Sequence, residues 1–222
     1  MHSKTKDFEK VYKLLFKGKD PIHTWVIKQF RNKVKEKINI LYVGCGYGIL
    51  GYKIANLSKN FNVVGIDKIN QKDWWFYLKS KTKYNNLNFL SKNIKSFKSN
   101  IKFDYTVSIK VLHYIIINKK KALTNIFENM KSDGILYLVE ARGDNFINLI
   151  YQCILNPKYR KFAVKDILKE LKNPITFFTL YFLRYYIKDF NRLFENCGVN
   201  VLSEKELRVS CGEIAFTCKK HK

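Results

Sequence analysis

Five consecutive residues, Gly44-Cys45-Gly46-Tyr47-Gly48, and one carboxylate, Asp67, are the part of this chain best suited to chemistry. An apolar run, Ile40-Leu41-Tyr42-Val43, leads straight into the three alternating glycines. A second run, Asn62-Val63-Val64-Gly65-Ile66, ends at Asp67. A tight turn after a strand favours glycine, because a Cβ would hold backbone and ligand apart and some dihedrals are closed to other residues. A helix beginning in such a loop points free N–H groups at a ligand. A carboxylate at the end of the next strand can accept from ribose hydroxyls. The pattern predicts a βαβ unit that holds a nucleoside cofactor; a plain turn is the alternative.

Two cofactor classes compete for this loop. Gly46-Tyr47-Gly48-Ile49-Leu50-Gly51 matches the G-x-G-x-x-G dinucleotide pattern, and Asp67 lies 21 residues beyond Gly46. The apolar strand ends at Val43, however, so the turn starts at Gly44. Counted from there, the third dinucleotide glycine falls on Ile49. The match is out of register with its strand, which argues against NAD. Asp67 suits either class.

The elements that must position this loop follow from hydrophobic period and turn residues. Helices are predicted over 6–17 and 23–36, the second with Trp25, Val26, Phe30 and Val34 on one face. Strands are predicted at 38–43, 62–66, 87–90, 103–109 and 135–139, the last entered through a turn at Asp133-Gly134. Helices over 47–57, 70–82 and 119–130 connect them, the second carrying Trp74, Trp75 and Leu78 and the third with Ala122, Ile126 and Met130 inward. These connections make the first five strands parallel. A long aromatic-rich helical stretch then runs to about Asn196, broken at Pro157 and Pro174. Residues 199–210 and 213–218 alternate like a hairpin, which places an antiparallel strand at one edge. The expected organisation is one domain over 1–222, with 1–36 as a helical cover and 142–189 as an aromatic cap.

Composition narrows the class. Of 222 residues 46% are hydrophobic, enough for one α/β core. No apolar stretch approaches the roughly 18 residues of a membrane span, and the basic opening Met1–Lys6, with no apolar run after it, is not expected to be a signal peptide. Five cysteines (Cys45, Cys153, Cys197, Cys211, Cys218) follow no metal-ligand spacing. A cytoplasmic, reduced protein without structural metal, monomeric or homodimeric, is expected. The formal charge of +24 resembles a nucleic-acid signal. Yet Arg occurs only at 31, 142, 160, 184, 192 and 208, and Arg is the residue of bidentate phosphate and base contacts. The lysines are spread along the chain beside abundant Asn and Ile, as a coding bias would also produce. Nucleic acid is a possible partner but not the favoured one.

With these residues in place, the chain resembles the class I S-adenosylmethionine-dependent methyltransferase family over about 35–140 and again over 190–219. The resemblance rests on Leu41-Tyr42-Val43-Gly44-Cys45-Gly46-Tyr47-Gly48, on Phe103 to Tyr114, and on Gly134 to Glu140. It implies an α/β, doubly wound seven-stranded sheet of order 3-2-1-4-5-7-6 with strand 7 antiparallel. It implies S-adenosyl-L-methionine as cofactor. Gly44, Cys45, Gly46 and Gly48 would line its methionine and ribose part, and Asp67 would take the ribose hydroxyls. Lys68 and Ile69 would lie beside the adenine, and Asn93 and Ile94 would reach its edge by side chain and main chain. The family often has an acid two residues before the first glycine. Here Tyr42 stands in that place, with Glu140 or Asp104 as replacements, or with weak binding or lost activity as the consequence.

Methyl transfer from a sulfonium needs alignment and exclusion of water more than a catalytic triad, and the sequence contains no triad. His113, just past the fourth strand, is the candidate general base; closing the adenosine pocket together with Tyr114, or capping a helix, are its plainer roles. Lys110 could hold an anionic group of the cofactor or be solvated. His23 and Trp25 are candidates from the amino-terminal cover, with an ordinary helix-start role for His23 as the alternative. Phe178, Tyr181 and Tyr185 in the run Pro174–Tyr186 would form an apolar lid over an organic acceptor or pack the cap on the sheet. Phe146 to Leu155 would form its other wall, and Arg142 and Asp144, just beyond the fifth strand, would face the same cleft. The tetrapeptide of base-amino methylating enzymes is absent, Ser108-Ile109-Lys110-Val111 standing there instead. The leading expectation is a methyltransferase acting on an O, N or C atom of a small organic molecule. The alternatives are an RNA or tRNA methyltransferase, a non-catalytic adenosine-cofactor-binding protein, and an NAD-dependent oxidoreductase.

Overall fold

The computed structural model describes residues 20–112, 115, 118–141, 187–207 and 213–220. Seven strands form one sheet in the order β3-β2-β1-β4-β5-β7-β6. They are β1 (Ile38–Val43), β2 (Phe61–Asp67), β3 (Leu87–Ser91), β4 (Phe103–Ile109), β5 (Met130–Ala141), β6 (Val199–Leu207) and β7 (Glu213–Lys220). The pairs β1–β2, β1–β4, β2–β3 and β4–β5 are parallel, whereas β7 runs antiparallel to both β5 and β6. The expected order and the antiparallel strand are therefore both present, but β7 lies inside the sheet, between β5 and β6, and β6 forms the edge. The direction in which successive strands are added reverses between β1 and β4. Open α/β sheets bind ligands at the carboxyl edge of such a switch point.

Five described helices are α1 (Pro21–Phe30), α2 (Ile49–Ala55), α3 (Lys72–Ser80), α4 (Lys119–Glu128) and α5 (Ile187–Glu195). Helix α1 starts where it does because Pro21 occupies its first turn and the Asp20 carboxylate caps it, accepting from Ile22 N–H at 2.8 Å and His23 N–H at 3.4 Å. It ends at Phe30 in a short 3₁₀ turn (Arg31–Lys33), so the helix expected to reach residue 36 is shorter.

Strand alternation splits the core into two layers. Ile38, Ile40 and Tyr42 of β1 pack with α1, α2 and α3, while Leu41 and Val43 pack with α4 and α5. On the first layer Phe30 meets Phe61, Tyr105 and Tyr137 edge-on, at centroid distances of 6.1, 5.5 and 5.7 Å. Ile22, at the other end of α1, packs with Val139, Leu207 and Ala215, near the carboxyl end of β5. Helix α1 thus runs against the strands, with its first turn at the edge that should hold a ligand.

One boundary differs for a clear reason. Residues 130–134, expected as helix end and turn, open the long strand β5. Met130 pairs with Phe103, and the register shifts before Tyr105 pairs with Ile135. This irregularity absorbs Gly134, where an added Cβ would lie 3.0 Å from the Lys131 carbonyl oxygen and 3.1 Å from that of Phe103. Met130 is inward, but as a strand residue. The predicted helix over 6–17 and residues 142–186 of the predicted cap (142–189) lie outside the described residues.

Candidate functional site

Strand β1 ends at Val43, and the loop from Gly44 to Gly48 carries the chain to α2. Gly44, Gly46 and Gly48 have φ of +64°, +50° and +76°. An added Cβ at Gly48 would lie 2.4 Å from Phe89 Cζ, and one at Gly44 would lie 2.2 Å from Val111 Cγ2. At Gly46 the same atom would meet nothing within 4 Å. Two of the glycines are therefore filled from behind by neighbouring side chains, and the middle one faces open space.

Asp67, the last residue of β2, holds this loop. Its Oδ2 accepts from Gly46 N–H at 2.8 Å and its Oδ1 from Ile69 N–H at 2.9 Å. Each carboxylate oxygen can accept again, so the pair of oxygens remains able to take two ribose hydroxyls. Cys45 N–H donates to the Ile66 carbonyl at 3.0 Å, and Gly48 N–H to the Cys45 carbonyl at 2.7 Å. The Cys45 side chain turns inward and is buried; burial, then the Asp67 charge, raises its thiol pKa and keeps it protonated. Cys45 therefore belongs to the loop through its backbone. Lys68 and Ile69 beyond Asp67 are exposed, as is Tyr47.

The loop's outward carbonyls are held by α3. Trp75 Nε1 donates to the Gly46 carbonyl at 2.8 Å, and Trp74 Nε1 donates to the Tyr47 carbonyl. The sequence placed both indoles in a helix over 70–82. It carried no signal for their N–H groups, because that pairing spans 27 and 29 positions.

On the other side of the switch point, Glu140 near the end of β5 is buried, and its Oε1 accepts from Val111 N–H at 3.0 Å and Leu112 N–H at 2.8 Å. It shapes the chain leaving β4, including Val111, whose side chain backs Gly44. Glu140→Ala is expected to cost about 3 kcal/mol in urea unfolding, because two N–H groups lose a charged acceptor. Asp104, the other suggested substitute for the missing acid, is excluded by position. It accepts from Asn39 N–H at 2.7 Å and lies 2.6 Å from Lys131 Nζ, at the amino-terminal edge of the sheet. Tyr42 itself is buried with its phenol pKa raised, first by burial and then by its neighbours Cys45, Asp20 and Asp67. It stays neutral, so it cannot offset a ligand's positive charge as a carboxylate would.

A family profile described as a methyltransferase domain matches residues 34–161, more than half of the chain. The chain belongs to the methyltransferase domain family. The methyl donor of that family is S-adenosylmethionine. Among curated relatives, the 235L protein of Invertebrate iridescent virus 6, which carries a methyltransferase name, is 30% identical over 56% of this chain and 46% of its own length. The ubiquinone biosynthesis O-methyltransferase of Rickettsia canadensis is 28% identical over 45% of this chain and 41% of its own. The chain spans less than half the length of either relative. Among solved structures, the 1,6-didemethyltoxoflavin-N1-methyltransferase of Burkholderia thailandensis has a TM-score of 0.64 at 10% identity, over 100% of this chain and 87% of that one. At that identity the likeness is one of fold.

The remaining candidates of this methyltransferase domain fall as follows. The Asn93 side-chain oxygen accepts from Lys95 N–H at 3.0 Å, which leaves its amide N–H₂ and one lone pair for a ligand. The Ile94 side chain is buried in the α4 layer and its carbonyl accepts from Asn125, so its main chain is what could serve an adenine. Lys110 has φ +54°, and its ammonium lies 2.6 Å from Oε1 of the fully buried Glu213. That pairing makes it a link between β4 and β7 rather than a free cation. Trp25 packs edge-on against Tyr137 at 5.8 Å, as a core residue would. His113, Tyr114, Arg142, Phe146, Phe178, Tyr181 and Tyr185 lie outside the described residues. Among the described residues no cluster suited to a metal is present, and no helix is long and apolar enough to cross a membrane.

His23 stands in the first turn of α1, its Nδ1 3.7 Å from Asp20 Oδ2. Burial holds its pKa below 6.5, opposed by Asp20 and reinforced by Lys53. The folded state therefore binds this proton less readily than the unfolded chain. The stabilisation is complete above about pH 6.5 and is lost as pH falls through the lower folded value. Melting temperatures taken from pH 8 to pH 5 should fall less for His23→Gln than for the wild type.

Proposed function

We propose that this chain is an S-adenosylmethionine-dependent methyltransferase that transfers a methyl group to an O, N or C atom of a small organic acceptor by in-line displacement. The carrying observation is the Asp67–Gly46 arrangement: a carboxylate that holds the loop with spare acceptor capacity, beside a left-handed glycine whose missing Cβ leaves open space. When bound, S-adenosylmethionine supplies an electrophilic methyl on a sulfonium. The chain's own part is to hold the nucleoside through Asp67, admit the amino-acid portion across Gly46, and keep water from the acceptor. Several similar proteins bear names that point to small molecules, among them ubiquinone biosynthesis, (S)-coclaurine and 1,6-didemethyltoxoflavin. Those names support an organic acceptor for this chain.

In this reading the chain is one domain, with 1–36 as its cover and the aromatic segment 142–189 as the acceptor-shaping cap. His113, three positions after Lys110 in the sequence, is the proposed base for acceptors that must lose a proton. Thermal melting in the presence of S-adenosylmethionine, S-adenosylhomocysteine or NAD tests the core of the proposal. At a hundred times Kd, ligand binding adds about 2.7 kcal/mol, a rise of roughly 5–10 °C for a domain of this size. Stabilisation by NAD alone would refute the assignment.

A further inference from the structure

The tryptophan pair of α3 bears on the same loop in a way that family membership does not supply. The peptide joining Gly46 and Tyr47 is trans, since the described residues contain no cis bond. In a trans peptide the carbonyl and the N–H point to opposite sides. Trp75 Nε1 holds the Gly46 carbonyl toward α3, so Tyr47 N–H must point away from that helix. It has no acceptor among the described residues, whereas the flanking Gly46 and Gly48 N–H groups are bound to Asp67 and to the Cys45 carbonyl. The next carbonyl, of Tyr47, is held toward the same helix by Trp74.

The lock is built, because its parts are braced from behind. The Trp75 ring stacks on Phe89 at 5.4 Å and 18°. Phe89 in turn occupies the spaces beside Gly48 and Gly65, where added Cβ atoms would lie 2.4 and 2.6 Å from it. Without the indole N–H, the Gly46 carbonyl would keep only a weak contact from the Cys45 thiol at 4.0 Å, and glycine's tolerance of dihedrals on both sides of φ zero would let the 46–47 peptide turn more easily. A fixed backbone N–H that lacks an acceptor favours an anion.

We propose that Trp75, seconded by Trp74, is a positioning residue that locks the Gly46–Tyr47 peptide so that Tyr47 N–H receives the carboxylate of the cofactor's amino-acid portion. This rests on the S-adenosylmethionine reading of the loop. It separates the two halves of the ligand: Asp67 serves the nucleoside, and the indole lock serves the carboxylate.

Calorimetric titration of the wild type, Trp75→Phe and Asp67→Ala with S-adenosylhomocysteine and with 5′-methylthioadenosine tests it. The second ligand keeps the nucleoside and lacks the carboxylate. Trp75→Phe should weaken S-adenosylhomocysteine about tenfold, the worth of one charge-assisted hydrogen bond. It should leave 5′-methylthioadenosine within about twofold, the scale of a neutral change. Asp67→Ala should weaken both. Equal weakening of the two ligands by Trp75→Phe would mean general loosening and overturn the proposal, as would unchanged S-adenosylhomocysteine affinity. Should Trp75→Phe not fold, benzothienylalanine incorporated in place of Trp75 keeps the ring volume and drops the N–H. A wild type that binds neither nucleoside refutes the cofactor reading itself, whatever the indoles do.

Discussion

Asp67→Ala is expected to weaken S-adenosylhomocysteine binding by a hundredfold or more, roughly 2.7 kcal/mol. Two losses combine. The carboxylate's acceptor capacity for ribose hydroxyls disappears, and each charged hydrogen bond contributes about 1.5–3 kcal/mol. The Gly46 and Ile69 N–H groups, at 2.8 and 2.9 Å, also lose the group that ties the loop to the end of β2. Asp67→Asn should fall between the two, because the amide oxygen can still accept one of these bonds while its nitrogen opposes the other N–H. Titration calorimetry gives the affinities, and thermal melting without ligand shows whether each variant is folded. A folded Asp67→Ala protein with wild-type affinity would remove the assignment of this strand end to the nucleoside.

Gly46→Val and Gly44→Ala should show opposite balances of stability and binding. At Gly46 the added side chain meets no protein atom near its Cβ, so the folding cost is mainly that of a left-handed backbone, about 1–2 kcal/mol. The added methyls project into the space assigned to the cofactor, and binding should fall by about a hundredfold or more, as steric exclusion exceeds 2.7 kcal/mol. At Gly44 the new Cβ would lie 2.2 Å from Val111 Cγ2. Strain and overpacking then add, to a stability loss of about 3 kcal/mol. Urea unfolding and calorimetry on both variants give the comparison. The site assignment fails if Gly46→Val binds S-adenosylhomocysteine as the wild type does.

Much of this architecture is readable along the chain because it is encoded locally. Strand β4 occupies 103–109, as its apolar run predicts, and β1, β2 and β3 follow their predicted ranges within one residue. The glycine loop is legible for the same reason: strand, turn and helix start occupy eleven consecutive positions between Ile40 and Leu50. Local pattern misleads at 130–134, where a helical period and an Asp-Gly pair suggest a turn. There the pairing of Met130 with Phe103 decides in favour of strand. It misleads again at Asp104, a plausible acid by type that lies at the wrong edge and is bound to Asn39 and Lys131.

The sequence by itself determined the βαβ unit, the sheet order through its resemblance, and the glycine loop followed by a carboxylate at the end of the next strand. These depend on side-chain period and backbone freedom, which are properties of neighbouring residues. Only the tertiary structure decided what each polar atom meets. It turned the Trp75 and Trp74 indoles onto the loop carbonyls, placed Glu140 on the amides after β4, and set Lys110 against the buried Glu213. Hydrogen bonds depend on distance and direction between groups tens of residues apart, and those are fixed only when the sheet assembles.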